Sequence, residues 1–483
     1  MKGHYSVGII GLGVMGRNLA QNLLNSKTQT AVYSYVDSET VPFKNHQDAK
    51  ICTSLKDLVK SLETPRKVLL MVTSGEPVDR VIQDLLPLLD EADIIIDGGN
   101  SFFEDTQRRQ KELNKNSIEF LGTGISGGAE GALHGASIMV GGSQNAYLEC
   151  ESIFNAISTT ASGEPCFAHI GPDGAGHLVK MVHNGIEYGL MQLIAECYGF
   201  MKQGLQWPVE KIQSVFVTLN QGANQSYLME ITAKVLSAKD PASEGFLLDV
   251  ISDKAAQKGT GRWTVTTAMN LGVPIPTIIA AVTERTISAL TDDRQAIAAA
   301  STQATEAFTT EKSSTSEQIS TAALTETVMT DQDWINAMEH ALLSATILTY
   351  AQGFSLINAA SDEYHWSVKL DSVAAIWRNG CIIRSALLED IKLAFGSDAQ
   401  HHLLVAMAKP INQGQSSLRT LIKSSIHAGI SMPAFTSALS YFDSYSATQL
   451  PTNLIQAQRD FFGAHSFERT DKAGQHHGDW NKS

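Results

Sequence analysis

Lys180, His183, Asn184, Glu187 and Tyr188 stand together in the stretch KMVHNGIEYG, residues 180–189. A lysine, an imidazole, an amide, a carboxylate and a phenol can together remove a proton, return one and hold a hydroxylated anion. Their spacing is i, i+3, i+4, i+7 and i+8, which places all five on one face of a helix. The run from Gly176 to Lys202 predicts that helix, because it lacks proline and is rich in Leu, Met, Ile, Ala and Glu. In an ordinary amphipathic helix such a stripe is apolar and meets the core. A polar stripe there predicts a lined pocket. The plainer alternatives are a surface pair for Lys180 and Glu187 and a satisfied helix histidine for His183.

The elements that must position this face begin near the N-terminus. YSVGII at 5–10 predicts a buried strand, GLGVMG at 11–16 follows, and RNLAQNLLNS predicts a helix with Leu19, Leu23 and Leu24 inward. Strand, GxGxxG loop and helix in that order predict a dinucleotide site, with pyrophosphate at the helix N-terminus. Apolar strands at 30–36, 67–72, 93–99 and 118–124 alternate with helical stretches at 76–90 and 104–114. That alternation predicts an α/β, doubly wound, Rossmann-like parallel sheet, with ligand loops at its carboxyl end. Those loops are 73–76 (TSGE), 98–103 (GGNSFF) and 123–131 (TGISGGAEG). Ser126, Gly127 and Gly128 would bring a hydroxyl and bare amides to one spot suited to an anion, the alternative being a plain glycine turn.

A chain of 483 residues exceeds one simple core. We expect a dinucleotide-binding domain over 1–175, a large all-helical domain over 176–440 and a tail over 441–483. Residues 297–327 are rich in Ser, Thr, Ala, Gln and Glu and predict a mobile connection or an exposed helix pair without chemistry. AECYGFMKQ (195–203) faintly echoes TYAQGFSLI (349–357), which hints at an internal duplication. The tail is aromatic and poor in apolar periodicity, so it either stays loose or docks on another surface, such as a neighbouring subunit. Its adjacent His476 and His477 read as solvated; no metal site is predicted.

Hydrophobic residues make up 43% of the chain and charged residues 18%, an ordinary globular composition. The net charge of −14 argues against general affinity for nucleic acid or anionic membrane, so any anionic ligand needs a local cluster of bases. The five cysteines form no CxxC pair and are expected to be reduced, buried thiols. No signal peptide is expected ahead of the first strand, and no apolar run reaches membrane-spanning length. The expected location is the cytoplasm.

GLGVMGRNLA, IIIDGGNSFF, GISGGAEGA, GHLVKMVHNGIEYG, QKGTGRW and NLIQAQRDFFGAH occur here in family order. From about residue 5 to 480 the chain resembles the 6-phosphogluconate dehydrogenase (decarboxylating) family. The resemblance implies oxidation of 6-phosphogluconate at C3, loss of CO2 and release of ribulose 5-phosphate, with NADP or NAD as acceptor, in the pentose phosphate pathway. It implies Lys180 as base and Glu187 as acid. It assigns Asn100, Ser126, Gly127, Gly128, His183 and Asn184 to the carboxylate and hydroxyls, and Tyr188, Lys258, Thr260 and Arg285 to the surroundings of the phosphate. Arg459 and His465 of the tail would enter the partner's site in a homodimer. Gly11, Leu12, Gly13, Val14, Met15, Gly16, Ser34, Tyr35, Val36, Val72, Thr73, Ser74 and Asn100 would meet the cofactor. Two other readings are a dehydrogenase of a different β-hydroxy acid and a non-catalytic nucleotide sensor. The retained Lys258, Arg285 and Arg459 disfavour the first, and the retained Lys180 and Glu187 disfavour the second.

The chain departs from the family where the adenosine ribose would lie. Relatives that use NADP commonly end the second strand with Asn-Arg-Ser/Thr; here Ser34, Tyr35 and Val36 stand there. Thr73 replaces a frequent lysine. Asp37 lies 21 residues beyond Gly16, near the place where an acid binds the 2′-hydroxyl of NAD, although the register puts Ser34 at the contact. Family habit favours NADP and this local chemistry leaves NAD open. The prolines usual around GASIMVGG (135–142) are also absent, which is expected to adjust a loop only.

Overall fold

The structure is a computed structural model that describes residues 5–312, 329–396 and 402–480. Short, mostly buried runs form the first strands, β1 (Val7–Ile10), β2 (Thr30–Tyr33), the half-buried β3 (Ala49–Ile51), β4 (Lys67–Leu70), β5 (Ile94–Asp97) and β6 (Glu119–Ser126). After them come β7 (Ser137–Gly141), a small hairpin of β8 (Thr160–Ala161) and β9 (Glu164–Pro165), and β10 (Phe167–Gly171). The main sheet has the order β10-β7-β6-β5-β4-β1-β2-β3. Strands β1 to β6 are mutually parallel in the Rossmann order.

The expectation of a wholly parallel sheet needs one correction. β7 pairs antiparallel with β6, and β10 runs parallel to β7. Only residues 127–136 join β6 to β7, fewer than the dozen or so that a parallel crossover needs. The stretch GASIMVGG, expected as a loop, supplies the fully buried β7. Likewise Thr123 to Ser126 of the expected ligand loop are strand, and Gly128–His134 are helix. Leu19, Leu23 and Leu24 of the helix Val14–Asn25 are buried against the sheet as expected.

The central helix, Ala175–Gly199, follows β10 directly and ends in a π-helical turn, Phe200–Gly204. It packs along the long helix Asp331–Glu363 in a core rich in Leu, Ile, Phe and Trp. Two helix starts are capped from these long helices. Glu196 accepts the backbone N–H groups of Ala434 and Phe435, at 2.9 and 3.1 Å, at the start of the helix Pro433–Ser446. Gln352 accepts the Thr277 N–H at 2.9 Å at the start of the helix Pro276–Ala289. Both helices open with proline, and each N-terminus is capped by a buried side chain from a long core helix.

Of the Ser/Thr-rich segment, residues up to Lys312 belong to the helix Thr291–Lys312, and residues 313–328 lie outside the described residues. The helix Pro433–Ser446 runs through residue 440. Beyond it the tail folds into the helix Thr452–Gly463 and a two-stranded hairpin, Phe467–Glu468 with Gln475–His476. Asp460, 4% exposed, ties the tail together. It accepts from the N–H groups of Ser466 and Gly478 and from Trp480 Nε1, each at 2.8 Å, and lies 2.7 Å from His477 Nδ1. His477 is thus a tail brace. No helix among the described residues is long and apolar enough to cross a membrane.

Candidate active site

Lys180 reaches the sheet because β6 and the central helix touch. A Cβ on Gly124 would lie 2.3 Å from Lys180 Cβ, so only glycine permits that approach. Lys180 Nζ then donates to Asn184 Oδ1 at 2.7 Å and to Ser126 Oγ at 3.3 Å, at the end of β6. The His183 ring completes the cluster, with Nε2 3.1 Å from Ser126 Oγ. Its Nδ1 lies 3.5 Å from Lys180 Nζ and 3.8 Å from Glu187 Oε2. Trp377 meets the imidazole edge-on, with centroids 5.4 Å apart, and the ring is fully buried.

Burial sets the proton preferences of this face. It lowers the Lys180 pKa, an effect opposed by the Glu187 carboxylate. It raises the Glu187 pKa, opposed by Lys180 and Arg285. His183 is pushed well below its ordinary value, first by burial and then by the Lys180 charge. The pair is therefore biased toward a neutral base and a protonated acid. Seven residues separate them, roughly 10 Å along the helix axis.

Beyond Glu187 the face turns cationic. The Arg285 guanidinium lies 3.5 Å from the Tyr188 ring centroid and donates to the Ala256 carbonyl at 3.1 Å. Thr260 begins the helix Thr260–Asn270 and is buried, and Lys258, two residues earlier, is exposed. Gly127 and Gly128 lead from Ser126 into the helix Gly128–His134. Asn100 is exposed in the loop after β5. That loop is held from below: Asp97 accepts from Ser101 Oγ at 2.6 Å and from the Gly99 N–H at 3.1 Å.

Sequence reasoning passed over the brace beneath this loop. Arg109, 1% exposed, donates to Asp79 Oδ1 at 2.8 Å and to the Gly75 carbonyl at 2.9 Å, and its Nη1 lies 3.5 Å from Asp97. His177 Nε2 lies 3.1 Å from the Asp97 carbonyl and its Nδ1 lies 2.7 Å from Thr106 Oγ1. Arg109 thus joins the loop 73–76 to the end of β5. Its position in a helix of ordinary charged residues gave no sequence signal, since the partners come from three separate elements.

The glycine loop fits a dinucleotide. A Cβ on Gly16 would lie 2.0 Å from the Gly11 carbonyl oxygen, and a Cβ on Gly13 would enter open space. No side chain caps the helix Val14–Asn25, which leaves its first N–H groups to a phosphate. Leu12 is buried beneath the loop, Val14 is exposed and Met15 half-buried. Ser34 is buried at the end of β2, with Tyr35 and Val36 exposed beside it. Val72 and Ser74 are half-buried after β4, and Thr73 is exposed.

Arg459 and His465 do not join this cluster within the chain. Both are exposed on the tail; Arg459 donates to Gln456 at 3.0 Å, and the His465 ring lies 6.1 Å from that of Phe462. Leu454, Ile455, Phe461 and Phe462 on the same helix are exposed as well.

The NAD binding domain of 6-phosphogluconate dehydrogenase matches residues 6–171, and the 6-phosphogluconate dehydrogenase C-terminal domain matches residues 176–480. The chain is 46% identical over 482 residues, 99% of each chain, to the NADP(+)-dependent decarboxylating 6-phosphogluconate dehydrogenase of Bacillus subtilis (strain 168). It is 43% identical over 484 residues, again 99% of each, to the NAD(+)-dependent enzyme of the same strain. Among solved structures, Plasmodium falciparum 6-phosphogluconate dehydrogenase superposes with a TM-score of 0.89 at 36% identity, covering 98% of this chain and all of that one. With both domain matches in chain order and relatives aligned over nearly full length, this chain belongs to the 6-phosphogluconate dehydrogenase family.

Proposed function

We propose that this protein oxidatively decarboxylates 6-phosphogluconate to ribulose 5-phosphate and CO2 while reducing NADP or NAD, as in the pentose phosphate pathway. The observation that carries the reading is the single helix face that holds buried Lys180 against Asn184 and Ser126 and carries half-buried Glu187 two turns further on. Family membership supplies the substrate.

Lys180, biased toward its neutral form, takes the proton of the C3 hydroxyl. A bound nicotinamide would supply the acceptor for the hydride that leaves C3. As an ammonium ion, Lys180 then polarises the new C3 carbonyl. The C1–C2 bond breaks, C1 departs as CO2, and its electron pair enters an enediol. Glu187, biased toward its protonated form, delivers a proton to C2 and the ketone product forms. Ser126, Gly127, Gly128, His183, Asn184 and Asn100 hold the carboxylate and hydroxyls. Tyr188, Lys258, Thr260 and Arg285 surround the phosphate, as planar and point cations beside a phenol suit a dianion.

The residues 11–16, 34–36, 72–74 and Asn100 hold the cofactor. Arg459 and His465, exposed beside exposed apolar side chains, complete the site of a second copy in a homodimer. The protein acts in the cytoplasm. Mixing it with 6-phosphogluconate and either nicotinamide nucleotide is expected to give reduced nucleotide and ribulose 5-phosphate in equal amounts. No reduction with either nucleotide would overturn the assignment.

A further inference from the structure

The carboxyl end of β2 is already committed before any cofactor arrives. Ser34 Oγ donates to Glu39 Oε2 at 2.5 Å and accepts the Val36 N–H at 3.1 Å. Glu39 lies in the 3-10 turn Asp37–Phe43, which folds back over the strand end. Its carboxylate is half-buried and has no cationic partner within 4 Å among the described residues. Asp37, the acid that spacing points to, is exposed, and its backbone carbonyl accepts from Thr40 Oγ1 at 2.8 Å. Folding therefore brings Glu39, and not Asp37, to Ser34.

In a doubly wound sheet the end of the strand after the glycine loop receives the adenosine ribose. A 2′-hydroxyl can donate to a carboxylate there, and a carboxylate with a free oxygen can accept it. A 2′-phosphate is an anion and needs donors or cations. Two donors at the strand end, the Ser34 hydroxyl and the Val36 N–H, are spent within the protein. Tyr35, 57% exposed, presents a phenol beside Tyr33, with ring centroids 5.2 Å apart. Burial, then Tyr33 and Asp84, raise its pKa, so it stays neutral.

We propose that Glu39, oriented by Ser34, is the cofactor-specificity residue of this enzyme: it accepts the ribose 2′-hydroxyl and repels a 2′-phosphate, so the enzyme prefers NAD to NADP. This rests on the dehydrogenase reading above and sharpens its cofactor. Equilibrium fluorescence titration of the full-length protein with NADH and with NADPH, without sugar, tests it apart from turnover. NADH is expected to bind at least about tenfold more tightly, and Glu39→Gln is expected to remove most of that ratio by strengthening NADPH binding. NADH binding by the variant reports that its site remains folded. Equal or tighter NADPH binding by the unaltered protein would overturn the proposal, as would an unchanged ratio in Glu39→Gln. Failure of the dehydrogenase reading looks different: the binding ratio persists, and neither nucleotide is reduced with 6-phosphogluconate.

Discussion

At the scale of the residue, the proposed catalysis depends on two proton preferences set by one burial. Lys180→Ala is expected to lower kcat by about 100- to 10,000-fold, the usual contribution of a general base, while calorimetry still detects 6-phosphogluconate binding. Wild-type turnover in the variant would remove Lys180 from the role of base. The pH dependence follows from the directions of the shifts. The proposed mechanism requires neutral Lys180, so kcat/KM is expected to rise with pH through a lysine value displaced below its ordinary 10.5. It also requires protonated Glu187, so kcat/KM is expected to fall again above a carboxyl value displaced upward from 4.5. In Glu187→Gln the residual kcat/KM is expected to lose that alkaline fall; its persistence would assign the fall to another group. Helical spacing made this stripe legible, because one helix carries all five residues. Glu39 was not legible, because a 3-10 turn exchanged it for the nearer Asp37.

At the scale of the element, a buried carboxylate makes stability depend on pH. Burial raises the Glu196 pKa to about 7, although the Ala434 and Phe435 N–H groups and Gln192 pull it down. A raised carboxyl favours the folded state most when protonated. The contribution is therefore complete below about 4.5 and fades as pH rises through about 7. Glu196→Gln is expected to fall less in thermal midpoint between pH 5 and pH 8 than the unaltered protein. It is also expected to lose roughly 0.5–2 kcal/mol at the acidic end, because the two N–H groups bond separate oxygens and an amide nitrogen cannot replace one of them. Equal pH trends in the two proteins would contradict this account. The cap itself was hidden from the sequence, since 238 residues separate Glu196 from Ala434. The first six strands were nearly all readable from apolar runs between turns. β7 was missed because GASIMVGG is glycine-flanked and short, and only its pairing with β6 shows it to be a strand.

At the scale of the whole molecule, the tail carries an apolar surface that a single chain leaves uncovered. It is folded around Asp460, yet Leu454, Ile455, Phe461 and Phe462 face solvent together with Arg459 and His465. If the tail completes a second copy's site, mixed dimers of Arg459→Ala and Lys180→Ala subunits contain one site with both residues intact. Random pairing makes half the dimers mixed, so recovery of about a quarter of wild-type activity is expected. Mixtures no more active than their parents would place Arg459 outside the shared site. Sequence indicated a docking tail through its aromatic residues but could not show that Asp460 gives it a fold, because the four donors come from separate positions along the chain. The central claim, that the Lys180–Glu187 face couples oxidation to loss of CO2, is tested most directly with 6-phosphogluconate labelled at C1. Labelled CO2 is expected to appear mole for mole with reduced nicotinamide, and neither should form at a significant rate in Lys180→Ala. Reduced nicotinamide without labelled CO2, or undiminished release by that variant, would contradict it.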